Sequence, residues 1–329
     1  MKAKVYITRR LPDRIIEKLE DQFEIRMWKE ENVPVPREVL EREVTEIDGL
    51  FCLLTESIDK SLLDKAKNLK IVSNMAVGYN NIDIEAASQR GIMVTNTPGV
   101  LTETTADLTF ALLLATARRI VESSDYLRGG KWETWSPMQL TGQDINGATL
   151  GIIGLGRIGE AVAKRAKGFD MNVLYYNRAR KYEAEETLGI TYYDFDDLLK
   201  ESDFICIMTP YSPETKNLID RDQLSKMKNN AILINTARGG IVNEEALYEA
   251  LKSGRIWGAG LDVFVEEPVS LEHPLLTLPN VVALPHIGSA SIKTRLRMAE
   301  LAADNLIDAL NNEIPKYLVN TGLVVSKEN

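Results

Sequence analysis

The run from Ile152 to Gly159, IIGLGRIG, constrains this chain more than any other segment. Gly154, Gly156 and Gly159 stand directly after an apolar, β-branched run and at the opening of a helical pattern. A strand-to-helix turn needs glycines at these places if its backbone is to lie against a diphosphate. The first permits the tight turn, the second lets the main chain approach phosphate oxygens, and the third lets the helix pack closely on its strand. The amides at the start of the helix have no partner within it, and they and the helix dipole favour an anion. A glycine-rich turn without a ligand is the plainer reading of the spacing, and the strand-turn-helix context weighs against it.

Such a turn belongs in a doubly wound sheet, and the surrounding pattern agrees. Residues 4–9, 23–28, 49–54, 69–76 and 91–97 read as strands with helical stretches between several of them, which predicts βαβ units and a parallel sheet. A second series follows at 148–154, 171–176, 203–209, 231–237, 257–263 and 281–287. The fold class is therefore α/β, with two doubly wound parallel sheets. Between the series, Thr102 to Leu127 lacks Gly and Pro and predicts one long, largely buried helix. An irregular arm with Trp132 and Trp135 comes next, placed at the surface or in a subunit interface. After His286 a final amphipathic helix has no strand of its own to follow and must dock elsewhere.

A chain of 329 residues is long enough for two packed lobes. Its net charge of -9 opposes binding to nucleic acid or anionic lipid. Cys52 and Cys206 sit inside apolar runs as small hydrophobes, with no disulfide framework and no metal-ligand cluster. No segment has the length and apolarity to cross a bilayer, and the N-terminus lacks an apolar leader core. These features predict a cytoplasmic protein with no membrane, metal or nucleic-acid partner.

The strand at 171–176 ends in Asn177, Arg178, Ala179, Arg180 and Lys181. An acidic residue at its end would accept the ribose 2′-hydroxyl of NAD and repel a 2′-phosphate. Arg178, helped by Arg180 or Lys181, offers instead a planar fork of donors matched to phosphate oxygens. NADP(H) is thus preferred, with NAD(H) possible; in the alternative, the basic loop is solvated and Asn177 binds the 2′-hydroxyl of NAD. Arg238 and His286 both fall at the carboxyl ends of strands, where open α/β sheets collect ligands. Of the two histidines, His273 lies in a Pro-flanked loop with no strand to position it, so His286 is the acid-base candidate.

GLGRIG at 154–159, NTARGGIVNEEAL at 235–247, GLDVFVEEP at 260–268 and LPHIGSA at 284–290 resemble, in order and spacing, the D-isomer-specific 2-hydroxyacid dehydrogenases. The resemblance covers nearly the whole chain. Within the family it is greatest to the glyoxylate/hydroxypyruvate reductases, with the 2-ketogluconate reductases close behind. It implies a Rossmann nucleotide-binding domain at 101–286 inserted in a flavodoxin-like substrate domain formed by 1–100 and 287–329, with a cleft closing over the substrate. It implies that Arg238 binds the carboxylate and carbonyl of a small 2-oxoacid, and that His286 exchanges a proton with the substrate oxygen. Glu267 would bond His286 and raise its pKa. Thr104, Leu155, Arg157, Ile158, Ala179, Thr236, Ala237, Asp262 and Gly288 would contact the cofactor, Asp262 at the nicotinamide carboxamide. Leu53, Met75 and the amides of Val77 and Gly78 would meet the substrate. A homodimer is implied, with the segment around Trp132 and Trp135 embracing the partner. A reading from another class, a dinucleotide-sensing corepressor-like binding protein, keeps the same Arg, Glu and His.

Overall fold

The computed structural model describes residues 2–325. The chain divides into two compact units, one formed by the chain up to Leu101 together with the chain from Ser291, the other by Thr102–Ala290.

In the first unit, β1 (Lys4–Ile7), β2 (Glu24–Met27), β3 (Gly49–Cys52), β4 (Ile71–Asn74) and β5 (Met93–Thr95) form a parallel five-stranded sheet in the order β2-β1-β3-β4-β5. This is the flavodoxin-like arrangement. β3 and β4 are buried along their whole length, which is why they read as unbroken apolar runs. The helix Ile292–Leu310 supplies part of the cover, burying Met298, Ala299, Ala302, Ala303, Leu306 and Ala309. Ser73 Oγ donates to its Ala302 carbonyl at 2.7 Å, and its Asn305 Nδ2 donates to the Asn96 carbonyl at 3.2 Å. A Cβ at Gly49 would stand 3.0 Å from Leu310 Cδ1, so the strand and helix meet with almost no slack. The helix with no strand to follow thus finds its partner in the opening strands of the chain.

In the second unit, β6 (Thr149–Ile153), β7 (Asn172–Tyr176), β8 (Thr191–Tyr192), β9 (Phe204–Ile207), β10 (Ile232–Asn235), β11 (Gly258–Leu261) and β12 (Val281–Ala283) form a seven-stranded sheet. Every described pairing is parallel, in the order β12-β11-β10-β9-β6-β7-β8. Successive residues supply opposite faces. Ile152, Tyr175, Cys206 and Ile234 enter one core with the helix Thr102–Ala117, while Ile153, Leu174, Ile207 and Leu233 enter another with the helix Glu244–Lys252. Both cysteines are buried free thiols. The two-residue β8 is too short to give an alternating pattern, and sequence reading missed it. Among the described residues, no helix is long and apolar enough to cross a membrane.

The single helix expected over Thr102–Leu127 is two, Thr102–Ala117 and Ile120–Arg128. Arg119 between them is left-handed, with φ 52°. The cause lies in the returning arm: Gln143 N–H donates to the Ala117 carbonyl at 2.8 Å, and a Cβ at Gly142 would collide with that same carbonyl. A helix whose last-turn carbonyl is bonded from outside stops there. Arg119 then clamps Glu122 with two bonds, of 2.8 and 2.7 Å, to open the second helix. Only the first helix is largely buried; the second buries none of its residues.

The order of the second sheet reverses between β6 and β9, and Gly154 closes β6 at that point. Its φ is 97°, and a Cβ there would lie 2.7 Å from the backbone nitrogen of Thr209. Both facts oppose any side chain. Gly154→Ala is expected to destabilise the protein by ~2 kcal/mol or more in urea unfolding; an unchanged midpoint would show that the turn relaxes freely.

Candidate active site

β10 ends in Asn235, a buried polar residue on an otherwise apolar strand. Its amide closes the following turn from both sides: Nδ2 donates to the Arg238 carbonyl at 2.9 Å, and Oδ1 accepts from Ala237 N–H at 3.1 Å. Arg238 is held in place by this bracket, and its own NH1 donates to the Ala237 carbonyl at 2.8 Å. Burial pulls the guanidinium's pKa down while the charge of Glu267 opposes that pull, and an arginine in this position stays charged. Sequence reading missed Asn235; its only signal was an amide side chain where the strand calls for Val or Ile.

The next residue, Gly239, is glycine by necessity, since a Cβ there would collide with the Phe264 carbonyl. The Arg238 turn therefore packs against the 264–265 peptide. Phe264 N–H donates to Glu267 Oε1 at 3.0 Å, and the other carboxylate oxygen, Oε2, lies 2.6 Å from His286 Nδ1. Burial alone would raise the Glu267 carboxyl. The bond and charge of His286, the Phe264 amide and the Arg238 charge outweigh it and hold the carboxyl below its ordinary value.

His286 follows β12 in the left-handed region, at φ 53°, a conformation that costs a non-glycine residue on the order of 1 kcal/mol. Asp262, at the end of β11, over-determines it. Its two oxygens accept from the Ile287 and Gly288 amides, each at 2.8 Å, so the backbone after the histidine cannot relax. Burial pushes the Asp262 carboxyl up, against those amides and the His286 charge. The structure thus brings Arg238, Glu267, Asp262 and His286 to one edge of one sheet.

His273, set aside on sequence, is also held. Its Nε2 stands 3.1 Å from Glu244 Oε2, while Glu244 Oε1 accepts from Val265 N–H at 2.7 Å. Two successive amides, of Phe264 and Val265, are thus each fixed by a carboxylate that itself bears a histidine. No pattern in the sequence could pair residues so far apart.

The glycine-rich turn fits a dinucleotide. Gly156 caps the helix Arg157–Ala166 without any side-chain bond, leaving its first amides open, and a Cβ at Gly156 would meet nothing within 4 Å. Gly159 is buried, and a Cβ there would press on the Gly154 carbonyl at 2.5 Å. Leu155 is buried, Ile158 is half-buried, and Arg157 is exposed beside the turn. Thr236 is buried with its hydroxyl 2.6 Å from that of Thr109, in the helix Thr102–Ala117 that also carries Thr104, and Gly288 would touch Thr105 through a Cβ at 3.4 Å. At the end of β7, Asn177 Nδ2 donates to the Ala179 carbonyl at 2.9 Å, closing the basic turn.

In the first unit, the candidates sit after β3 and β4. Leu53 N–H donates to the buried Glu56 at 2.8 Å, and Met75 N–H to the Cys52 carbonyl at 2.9 Å. Asn96 and Asn74 hold the carbonyls of Val77 and Gly78 at 2.8 and 3.0 Å. Among the described residues, neither amide N–H of Val77 and Gly78 has a partner within the chain.

Comparison with known proteins is consistent across the chain. Residues 110–288 match the family described as D-isomer specific 2-hydroxyacid dehydrogenase, NAD binding domain. A Thermococcus litoralis protein named glyoxylate reductase is 54% identical over 330 residues, covering 99% of each chain. One of the same name from Korarchaeum cryptofilum is 52% identical over 325 residues, covering 98% of each. The crystal structure of an NADPH-dependent glyoxylate/hydroxypyruvate reductase from Sinorhizobium meliloti, in complex with NADP and malonate, is 34% identical. It covers 97% of each chain with a TM-score of 0.85.

Because the Glu267 carboxyl titrates lower in the folded chain than its ordinary 4.5, its ionisation stabilises the fold above that value and is lost as the pH falls through the folded pKa. Wild type should therefore lose stability more steeply than Glu267→Gln as the pH drops below about 4.5. Coincident acid-unfolding curves for the two proteins would contradict this.

Proposed function

This chain belongs to the D-isomer specific 2-hydroxyacid dehydrogenase family, an NAD(P)-dependent reductase of 2-oxoacids, and from that premise we propose that glyoxylate is its main substrate, with hydroxypyruvate next, and NADPH its preferred reductant. The observation that carries the reading is the 2.6 Å pair of Glu267 and His286, held in one unit with Arg238 and a dinucleotide-binding turn.

Reduction of a 2-oxoacid converts C=O to CH–OH, so the carbon must gain a hydride and the oxygen a proton. The reduced nicotinamide, when bound, supplies the hydride. His286 supplies the proton. Its Nδ1 faces a carboxylate held below its ordinary pKa, so Nδ1 carries a hydrogen and donates it to Glu267. The transferable proton then sits on Nε2, and Glu267 steadies the imidazolium before transfer. In the reverse direction the same nitrogen accepts the proton. Arg238 presents a desolvated cation suited to the substrate carboxylate and to the developing charge on the carbonyl oxygen. The unpartnered amides of Val77 and Gly78 suit a carboxylate as well.

The working form is a homodimer. The helix Ile120–Arg128 buries nothing of its own, and Ile120, Val121, Leu127 and Trp132 are exposed nearby. Trp135 and Met138 are 74% and 75% exposed. A helix and arm this apolar support an interface with a second copy. Two buried thiols fit a reducing, cytoplasmic setting.

The direct test is the rate of NADPH and NADH oxidation with glyoxylate, hydroxypyruvate, 2-ketogluconate and pyruvate. Glyoxylate with NADPH should give the highest kcat/KM; negligible turnover of every 2-oxoacid would overturn the reading. His286→Ala should lower kcat by roughly 10²- to 10⁴-fold. NADPH affinity should change little, and a variant at wild-type rate would remove the proton-transfer role.

A further inference from the structure

Coenzyme preference depends on which cations of the turn after β7 are available to a 2′-phosphate. Arg178, Arg180 and Lys181 stand there, and only one of them is uncommitted. Arg180 makes a two-toothed pair with Glu185, Nε to Oε1 at 2.8 Å and NH2 to Oε2 at 2.7 Å. Its guanidinium also lies over two rings, 4.9 Å from the Tyr182 centroid and 5.6 Å from that of Tyr192. Lys181 Nζ is bonded to Glu160 at 2.7 Å. Arg178 is exposed and makes no ion pair or hydrogen bond among the described residues; only the longer-range charge of Glu214 acts with it.

Glu185 is not an ordinary surface partner. Its side chain is 16% exposed, and its Oε1 also accepts from the hydroxyl of the wholly buried Tyr175 at 2.6 Å. That same hydroxyl accepts from Lys181 N–H at 2.8 Å. The carboxylate is thereby fixed to the strand and to the turn, and the bonds from Arg180 and then Tyr175 hold its pKa down at about 2. At working pH it is charged, and both of its oxygens are bonded to Arg180.

We propose that Glu185 is a specificity-determining positioning residue: it sequesters Arg180, leaves Arg178 as the one cation that meets a 2′-phosphate, and so limits the preference for NADPH over NADH. A 2′-phosphate is a dianion that two guanidinium forks would bind far more tightly than one. An anionic Glu185 both withholds the second fork and adds repulsion. An adenosine ribose without phosphate senses neither effect, so only the phosphorylated coenzyme responds. The proposal rests on the reading of this turn as the 2′-phosphate site.

The experiment is calorimetric titration of the full-length protein with NADPH and NADH, with KM values measured in parallel. Glu185→Gln keeps an acceptor for Tyr175 and removes the charge. It should tighten NADPH roughly three- to tenfold while NADH changes less than about twofold. A purely structural role would instead weaken both coenzymes together. Arg178→Ala should weaken NADPH roughly tenfold and NADH little. Arg180→Met should leave NADPH within about threefold of wild type, because that guanidinium is engaged elsewhere. If Arg178→Ala discriminates but Glu185→Gln fails to tighten NADPH, or Arg180→Met weakens it as much as Arg178→Ala, the role of Glu185 is overturned alone. If Arg178→Ala affects both coenzymes equally, the turn does not read the phosphate, and the reading falls with the proposal.

Discussion

One carboxylate, Glu267, is shared between a backbone amide and an imidazole, and the arrangement of the site depends on that sharing. The Phe264 amide fixes one oxygen, so the other is aimed at His286 before any substrate arrives. The histidine cannot retreat, because Asp262 holds the two amides that follow it and keeps its backbone left-handed. Arg238 is tied to the same point through Gly239, whose missing side chain lets its turn lie on the Phe264 carbonyl. Three chemical groups from three strand ends are thus referred to the peptide backbone of Phe264, which holds their mutual geometry.

Around that peptide the charges are ordered by burial and partner. The Arg238 guanidinium is desolvated, so its attraction to an incoming carboxylate is less screened than at the surface. Glu267 balances it and is kept ionised by the same neighbours it serves. At the other end of the same sheet the turn after β7 follows the opposite plan. There the cations lie nearer the solvent, and two of the three are paired with acidic neighbours. Under the proposed function, reaction chemistry and coenzyme choice would be governed by separate networks within one unit.

Much of this was legible in the chain itself, for physical reasons. Strands buried on both faces must be apolar throughout, so β3, β4, β6, β9 and β10 announce themselves, and the glycines at 154 and 159 are demanded by close backbone contacts, while Gly156 leaves the approach to the helix N-terminus open. Arg238 and His286 were marked by their places at strand ends and Glu267 by the family resemblance, and the structure brings the three side chains to one sheet edge. What stayed hidden were effects of tertiary approach. The helix expected to run to Leu127 stops at Ala117 because a distant arm takes its carbonyl. Asn235 brackets the Arg238 turn, and Glu244 carries His273 to the 264–265 peptide, through pairings that no local period encodes. Arg180 and Lys181 looked like helpers of Arg178, yet each is bound to an acid. A string of basic residues does not say which of them is already occupied.

The central claim is that Glu267 fixes the His286 imidazole with its hydrogen on Nδ1. Nitrogen-15 NMR of histidine-labelled protein reads this directly, and with only two histidines His273→Gln assigns the signals. In the neutral ring, His286 should show a protonated, strongly hydrogen-bonded Nδ1 and a bare Nε2, a pattern lost in Glu267→Gln. A neutral ring with its hydrogen on Nε2, unchanged by that substitution, would contradict it.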